Sequence, residues 1–118
     1  MPPVGADAQL IQSYGSEAFR IANTLYPHSV LVLPTETVVW NGNLDIESLA
    51  AVLAATPPIE VLLIGTGKRH EMVLPTLRMA LKACGIAMDT MDSGAACRTF
   101  NILLSESRRV ATALILPA

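Results

Sequence analysis

The sequence predicts an α/β protein: a single three-layer domain with a mixed central sheet, its β-rich N-terminal third followed by an α-β-α-β-α-β succession. Three observations predict it. From Asp45 onward, stretches with a helical apolar period alternate with short, near-continuous apolar runs, as right-handed crossovers between parallel strands require. Before Asp45 the apolar runs are short, β-branched and bounded by Pro, Gly and Asn, the pattern of antiparallel strands. At 118 residues, 52% of them hydrophobic and 15% charged, the chain can bury one sizeable core and leaves little of itself disordered.

In chain order, residues 1–13 read as a loose N-terminal arm, with Pro2, Pro3 and Gly5 followed by a polar stretch without a clear period. Residues 14–118 read as the domain. Phe19, Ile21 and Leu25 alternate with polar residues as in one half-buried strand. Ser29 to Leu33 is an apolar strand closed by Pro34, and Thr37 to Trp40 is another, ended by the turn Asn41-Gly42-Asn43. Asp45 then suits an N-cap, and Ile46, Leu49, Ala50 and Leu53 make an apolar stripe that Pro57-Pro58 ends. Glu60 to Ile64 reads as a strand buried on both faces, and Gly65-Thr66-Gly67 as the tight turn after it. Pro75 opens a helix carrying Leu74, Leu77, Leu81 and Cys84 on one side, with Gly85 at its left-handed C-terminus. Ile86 to Met91 is a strand, Asp92 to Glu106 a helix, and Val110 to Leu116 a last apolar strand approached through Arg108-Arg109.

The helix after Met91 organises the rest. Asp92 and Ser93 are both good N-cap residues. Ala96, Cys97, Phe100, Leu103 and Leu104 fall within an arc of roughly 120° at about 100° per residue, while Arg98, Asn101 and Ser105 fall opposite. In an open α/β sheet the ligand crevice lies beyond the carboxyl ends of parallel strands. If the strands before them are neighbours, Gly65, Thr66 and Gly67 line one shallow cleft with Asp92, Ser93 and Gly94, and Arg98, Lys68 and Arg69 stand near its rim. The free amides at the helix start would favour an anion there. The plainer alternative is that each glycine only turns the chain.

Several classes of chemistry find no support. The net charge of −2 offers no basic stripe for nucleic acid. No apolar run is long enough to span a membrane. Around Gly67-Lys68 a phosphate-cradling loop would need Gly where Leu62 stands and Ser or Thr where Arg69 stands; a dinucleotide fingerprint would need a small residue where His70 stands. His28, His70, Cys84 and Cys97 lack metal-ligand spacing, so no metal or other cofactor is predicted. Both cysteines read as reduced core thiols, Glu36 and His70 as solvated loop residues, and Trp40 as either an interface anchor or a lid over the core. Arg108 and Arg109 are either solvated or paired with a carboxylate. The first 20 residues show neither secretory signal nor Arg-rich transit peptide, which predicts a cytoplasmic protein unless a presequence has been removed.

Gly65-Thr66-Gly67 after an apolar strand, the segment Met91-Asp92-Ser93-Gly94-Ala95-Ala96-Cys97-Arg98-Thr99-Phe100-Asn101, Leu103-Leu104, and Arg108-Arg109-Val110-Ala111 together resemble the Mth-type domain family, long labelled a domain of unknown function. The likeness runs from about Tyr14 to Ile115, with Ser93 and Phe100 standing where Thr and Tyr are usual. It implies a compact three-layer α/β domain with no established enzymatic activity. The family's mitochondrial members are assembly factors for respiratory complex I, which implies protein partners: a second assembly factor or subunits of that complex. The leading expectation is therefore a non-catalytic interaction domain that is not membrane-spanning and associates, if at all, peripherally. A small-molecule binder or enzyme using the cleft is the rival, and a homo-oligomer formed through a sheet edge or helix face is the third reading.

Overall fold

The computed structural model describes residues 8–117, so residues 1–7 of the expected arm lie outside them. Strands β1 (Ile11–Tyr14), β2 (Phe19–Ile21) and β3 (Thr24–Tyr26) form a small antiparallel sheet in that order. A second, mixed sheet holds β4 (Val30–Val32), β5 (Thr37–Val39), β6 (Val61–Gly65), β7 (Ala87–Met91) and β8 (Val110–Leu114) in the order β5-β4-β8-β6-β7. One 3₁₀ turn, Glu47–Leu49, leads into the short helix α1 (Ala50–Leu53); α2 (Pro75–Ala83) follows β6, and α3 (Ser93–Ser105) follows β7.

Topology sets the layers. The crossover β6-α2-β7 steps outward by one strand, and β7-α3-β8 steps back across β6 to its other side. With both crossovers right-handed, a reversal of direction puts their helices on opposite faces. Leu62 and Ile64 of β6, with Ala111 and Ala113 of β8, pack under α1 and α2 through Leu49, Val52, Leu77 and Leu81. Leu63 and Leu114 on the other face pack under α3 and the small sheet, through Ala96, Cys97, Phe100, Phe19 and Ile21. Central strands covered on both sides read as near-continuous apolar runs, and β8 is buried throughout, its polar Thr112 donating to the Leu63 carbonyl (3.0 Å). The β-rich front thus splits: β4 and β5 extend the main sheet antiparallel, while β1 to β3 form a cover beside α3.

Several elements differ from the sequence reading, each for a local reason. Residues 11–13, expected in the arm, belong to β1, whose only buried residue is Ile11. The expected strand over Phe19 to Leu25 is two strands, β2 and β3, joined at Ala22 and Asn23, which both take positive φ (48° and 69°). In the α1 region the chain starts as a 3₁₀ turn, so the stripe runs at a spacing of three from Leu49 to Val52, and Ala50 and Leu53 are left exposed. Leu74 precedes α2 and Cys84 follows it, so both are exposed rather than in the core. The last strand ends at Leu114, two residues early.

Candidate functional site

Gly65-Thr66-Gly67 and Asp92-Ser93-Gly94 follow adjacent parallel strands, with Gly65 opposite Met91. The chain leaves β6 for α2 on one face and β7 for α3 on the other, so this corner is the switch point of the sheet, where open α/β sheets keep their crevices. The chain's own atoms take up much of it. Ser93 is fully buried and joins three segments: its N–H donates to Gly67 O (2.8 Å), its hydroxyl accepts from Gly67 N (2.9 Å), and the same hydroxyl donates to the carbonyl of Ile115 just past β8. Thr66 Oγ1 donates to Arg69 O (2.7 Å) and accepts from Glu71 N (2.9 Å), closing the loop on itself. Asp92 caps α3 by accepting from Ala95 N (2.9 Å).

The small residues of the corner have packing reasons. A Cβ on Gly65 would lie 2.9 Å from Ser93 Cα, so strand and helix start approach too closely for any side chain. A Cβ on Gly94 would meet the Tyr14 ring at 2.8 Å, because that ring lies against the start of α3. Gly67 turns the chain at φ +100°, in the left-handed region that favours glycine. Arg98 sits with its guanidinium 5.9 Å from the Tyr14 ring centroid and donates to the Tyr14 hydroxyl. What space remains is two open depressions on either side of Gly67-Lys68. One, of about 310 Å³, is bordered by Tyr14, Lys68, Asp92 and Arg98; the other, of about 420 Å³, by Thr66, Arg69, Glu71 and Leu116.

The polar face of α3 is not simply solvated. Asn101 accepts from Ile11 N (2.9 Å) and donates to Ile11 O (2.8 Å), standing in for the neighbouring strand that β1 lacks on that side. Helical phase places Asn101 opposite the buried arc; its pairing with a residue 90 positions away carries no local signal.

The other candidates fall into place individually. Cys97 is buried against Phe100, and burial pushes its thiol up to about 12, far from a nucleophile's range. Trp40 is a lid over the core, its indole N–H bonded to Ser48 Oγ. His70 Nε2 lies 2.8 Å from Thr90 Oγ1. Arg108 and Arg109 both reach the Glu60 carboxylate, at 3.0 and 3.9 Å, and Arg108's hydrogen bond holds the Glu60 carboxyl below the usual range. These arginines border a groove of about 560 Å³ that also takes in Leu33, Glu36, Ala54 and Pro57, at the opposite end of β8 from the glycine corner. Sequence reasoning did not find that groove, which assembles three segments distant in the chain. Among the described residues no cluster of His, Cys, Asp or Glu could hold a metal, and no helix is long and apolar enough to cross a membrane.

Residues 11–115 match the family described as "Protein of unknown function (DUF498/DUF598)". The chain belongs to this family. It is 34% identical, over 95% of its length, to the "NADH dehydrogenase [ubiquinone] 1 alpha subcomplex assembly factor 3" of Xenopus tropicalis, and spans 63% of that protein. The chain thus covers a little under two thirds of the assembly factors it matches. Among solved structures it is similar to an outer membrane protein from Bartonella henselae (36% identity, 94% of this chain and 97% of that one, TM-score 0.85). It is also similar to a Bordetella pertussis protein described as a Mth938-like domain (25% identity, 100% and 91%, TM-score 0.80). The resemblance read from the Met91–Asn101 segment therefore holds, and so does the fold it implied.

Proposed function

We propose that this chain is a non-catalytic interaction module that assists the assembly of a membrane respiratory complex of the NADH:quinone oxidoreductase type. One observation supports the reading above the others. In the segment that marks the family, the hydroxyl of Ser93, a carboxylate oxygen of Asp92, the guanidinium of Arg98 and the side-chain amide of Asn101 are all engaged within the chain. A segment spent on holding its own corner together is architecture for surfaces elsewhere. The name carried by the related assembly factors supplies the process, and a relative named as an outer membrane protein is in keeping with peripheral association of a fold without a spanning helix. The setting proposed is the bacterial cytoplasm, with subunits of the complex or a second assembly factor as partners. Deletion in the source cell, followed by NADH:quinone oxidoreductase assay of its membranes, tests this. Loss of activity with restoration by the full chain is expected, and normal activity in the deletion strain would sink it.

A second reading is small-anion binding, or catalysis, at Gly65, Thr66, Gly67, Asp92, Ser93, Gly94 and Arg98. Lys68 and Arg98 at the rim of the 310 Å³ depression favour it. Two amides an anion would use, Gly67 N and Ala95 N, already have partners in Ser93 and Asp92, which ranks it second. Titration with inorganic phosphate, followed by amide chemical shifts of residues 65–68 and 92–98, tests it; saturable shifts confined to this corner would promote it.

A further inference from the structure

The basic residues of this chain are unevenly placed. Lys68, Arg69, Arg78 and Lys82 are half of its eight Lys and Arg, and residues 68–82 hold a single acid, Glu71, giving that segment a net charge of +3 in a chain of net −2. The same segment displays the largest apolar exposure described. Met72 is 94% exposed, Leu74 74% and Met79 69%. The helix geometry explains why both kinds of residue face outward. Leu77 and Leu81 commit one side of α2 to the core, and at about 100° per residue Met79 and Lys82 fall on the side away from it, while Arg78, on the flank, donates to the Met88 carbonyl. The side chains of Lys68, Arg69 and Lys82 make no hydrogen bond or ion pair among the described residues. The contrast with Arg108 and Arg109, both anchored to Glu60, is direct.

We propose that the loop and helix from Lys68 to Lys82 form a membrane-contact surface, whose exposed Met72, Leu74 and Met79 enter the interface of an anionic bilayer while the surrounding cations engage its headgroups. The chemistry of the patch selects this partner. Flexible, unbranched methionines and a leucine standing free in water gain from the acyl boundary, and the cations gain from a negative surface potential. Strong net basicity confined to one segment, in a chain otherwise carrying net −5, also orients the molecule, since its remaining surface is repelled by the same charge. Three apolar side chains and four cations give reversible, salt-sensitive attachment, not insertion. This surface goes beyond the assembly reading and stands or falls separately from it.

The test is co-sedimentation of the full chain with two sets of vesicles at low ionic strength, phosphatidylcholine alone and an equal mixture with phosphatidylglycerol. The chain is expected to pellet with the mixed vesicles only, and to be released by salt. Each cation removed is expected to weaken binding about fivefold, so the triple variant K68E/R69E/K82E loses it by more than a hundredfold. These side chains have no partners to lose, and circular dichroism checks that the variant is folded. As a second measurement, Met72→Trp places a fluorophore at the tip, and its emission is expected to shift to the blue with mixed vesicles, whereas native Trp40 is buried and stays silent. Failure to pellet with anionic vesicles, as expected if the patch serves an acidic protein face, would overturn the proposal. So would undiminished pelleting of the triple variant.

Discussion

Two segments start at the carboxyl end of the parallel strands, run on opposite faces of the main sheet and treat their polar groups in opposite ways. Residues 91–101 turn inward: Ser93, Gly94, Ala96, Cys97 and Phe100 are buried, and the polar side chains bond to β1, to the Gly67 turn and to the end of β8. Residues 68–82 turn outward, with the side chains of Lys68, Arg69 and Lys82 and three apolar side chains in solvent, while Arg78 donates to the Met88 carbonyl. The first is the long segment on which the family resemblance is read, and the second adds nothing to that reading. A recognisable motif here marks what the fold needs to close, and the more exposed side chains lie on the other segment.

The sharpest way to break this contrast uses the two thiols, one in each environment. With its pKa raised from 9.0 to about 12, Cys97 carries about a thousandfold less thiolate near neutral pH than an ordinary thiol, and it is also screened by packing. Cys84, at the end of α2, is exposed. A colorimetric thiol reagent is expected to titrate one equivalent quickly and the second only on unfolding. Two fast equivalents would mean that the helix face bearing Cys97 opens readily.

Next in size is Gly65→Ala. The added methyl would meet Ser93 Cα, Ser93 Oγ and Leu114 Cδ2, each at 2.9 Å, and a backbone atom cannot move aside as a flexible side chain can. A loss of about 1–3 kcal/mol is expected, read by urea denaturation. Gly94→Ala is expected to cost less, since the atoms it meets are side-chain atoms of Tyr14, which is 41% exposed and can shift outward at the expense of its Arg98 contact, and of Asp92 (3.3 Å). Equal costs would show that the corner is looser than its hydrogen bonds imply.

Asn101→Ala removes both partners of Ile11 at the free edge of β1. About 1–2 kcal/mol is expected, because each main-chain group loses a bond that water only partly replaces. Hydrogen exchange gives the cleaner reading: the Ile11 amide should lose protection while amides of β6 and β8 keep theirs.

These variants also show where the chain could be read in advance. From Asp45 onward the punctuation is explicit: Pro57-Pro58, Gly65, Pro75, Gly85 and Asp92 stand at or near the ends of elements, and the apolar period between them distinguishes helix from strand. The meeting of Gly65-Thr66-Gly67 with Asp92-Ser93-Gly94 followed from strand adjacency alone. What takes up the corner did not, because it depends on one hydroxyl bridging three segments and on a tyrosine arriving from β1. The front third was harder for a different reason. The β2–β3 turn uses Ala22 and Asn23 at positive φ without a glycine to announce it, and β1 buries only Ile11, so its alternation is invisible.

The smallest effect concerns the two cations that share a carboxylate, Arg108 and Arg109. Arg108 donates to the Glu60 carboxylate, the Arg109 backbone N–H does the same, and together they hold that carboxyl below its ordinary value of 4.5. A carboxyl depressed on folding adds stability that is present above its unfolded pKa and is lost as pH falls through its folded one. The window is therefore the acid side of 4.5, and above it the contribution is constant. Both partners are solvent-exposed, so the contribution is small and salt screens it. Glu60→Gln should flatten the acid limb of the stability profile slightly at low salt and leave it unchanged at high salt. Lys82→Glu, which breaks no pair, should leave the whole profile within about 0.5 kcal/mol of the parent. If instead Lys82→Glu moved the profile more than Glu60→Gln, the cations of residues 68–82 would be holding the fold, and the division between an inward and an outward segment would fail.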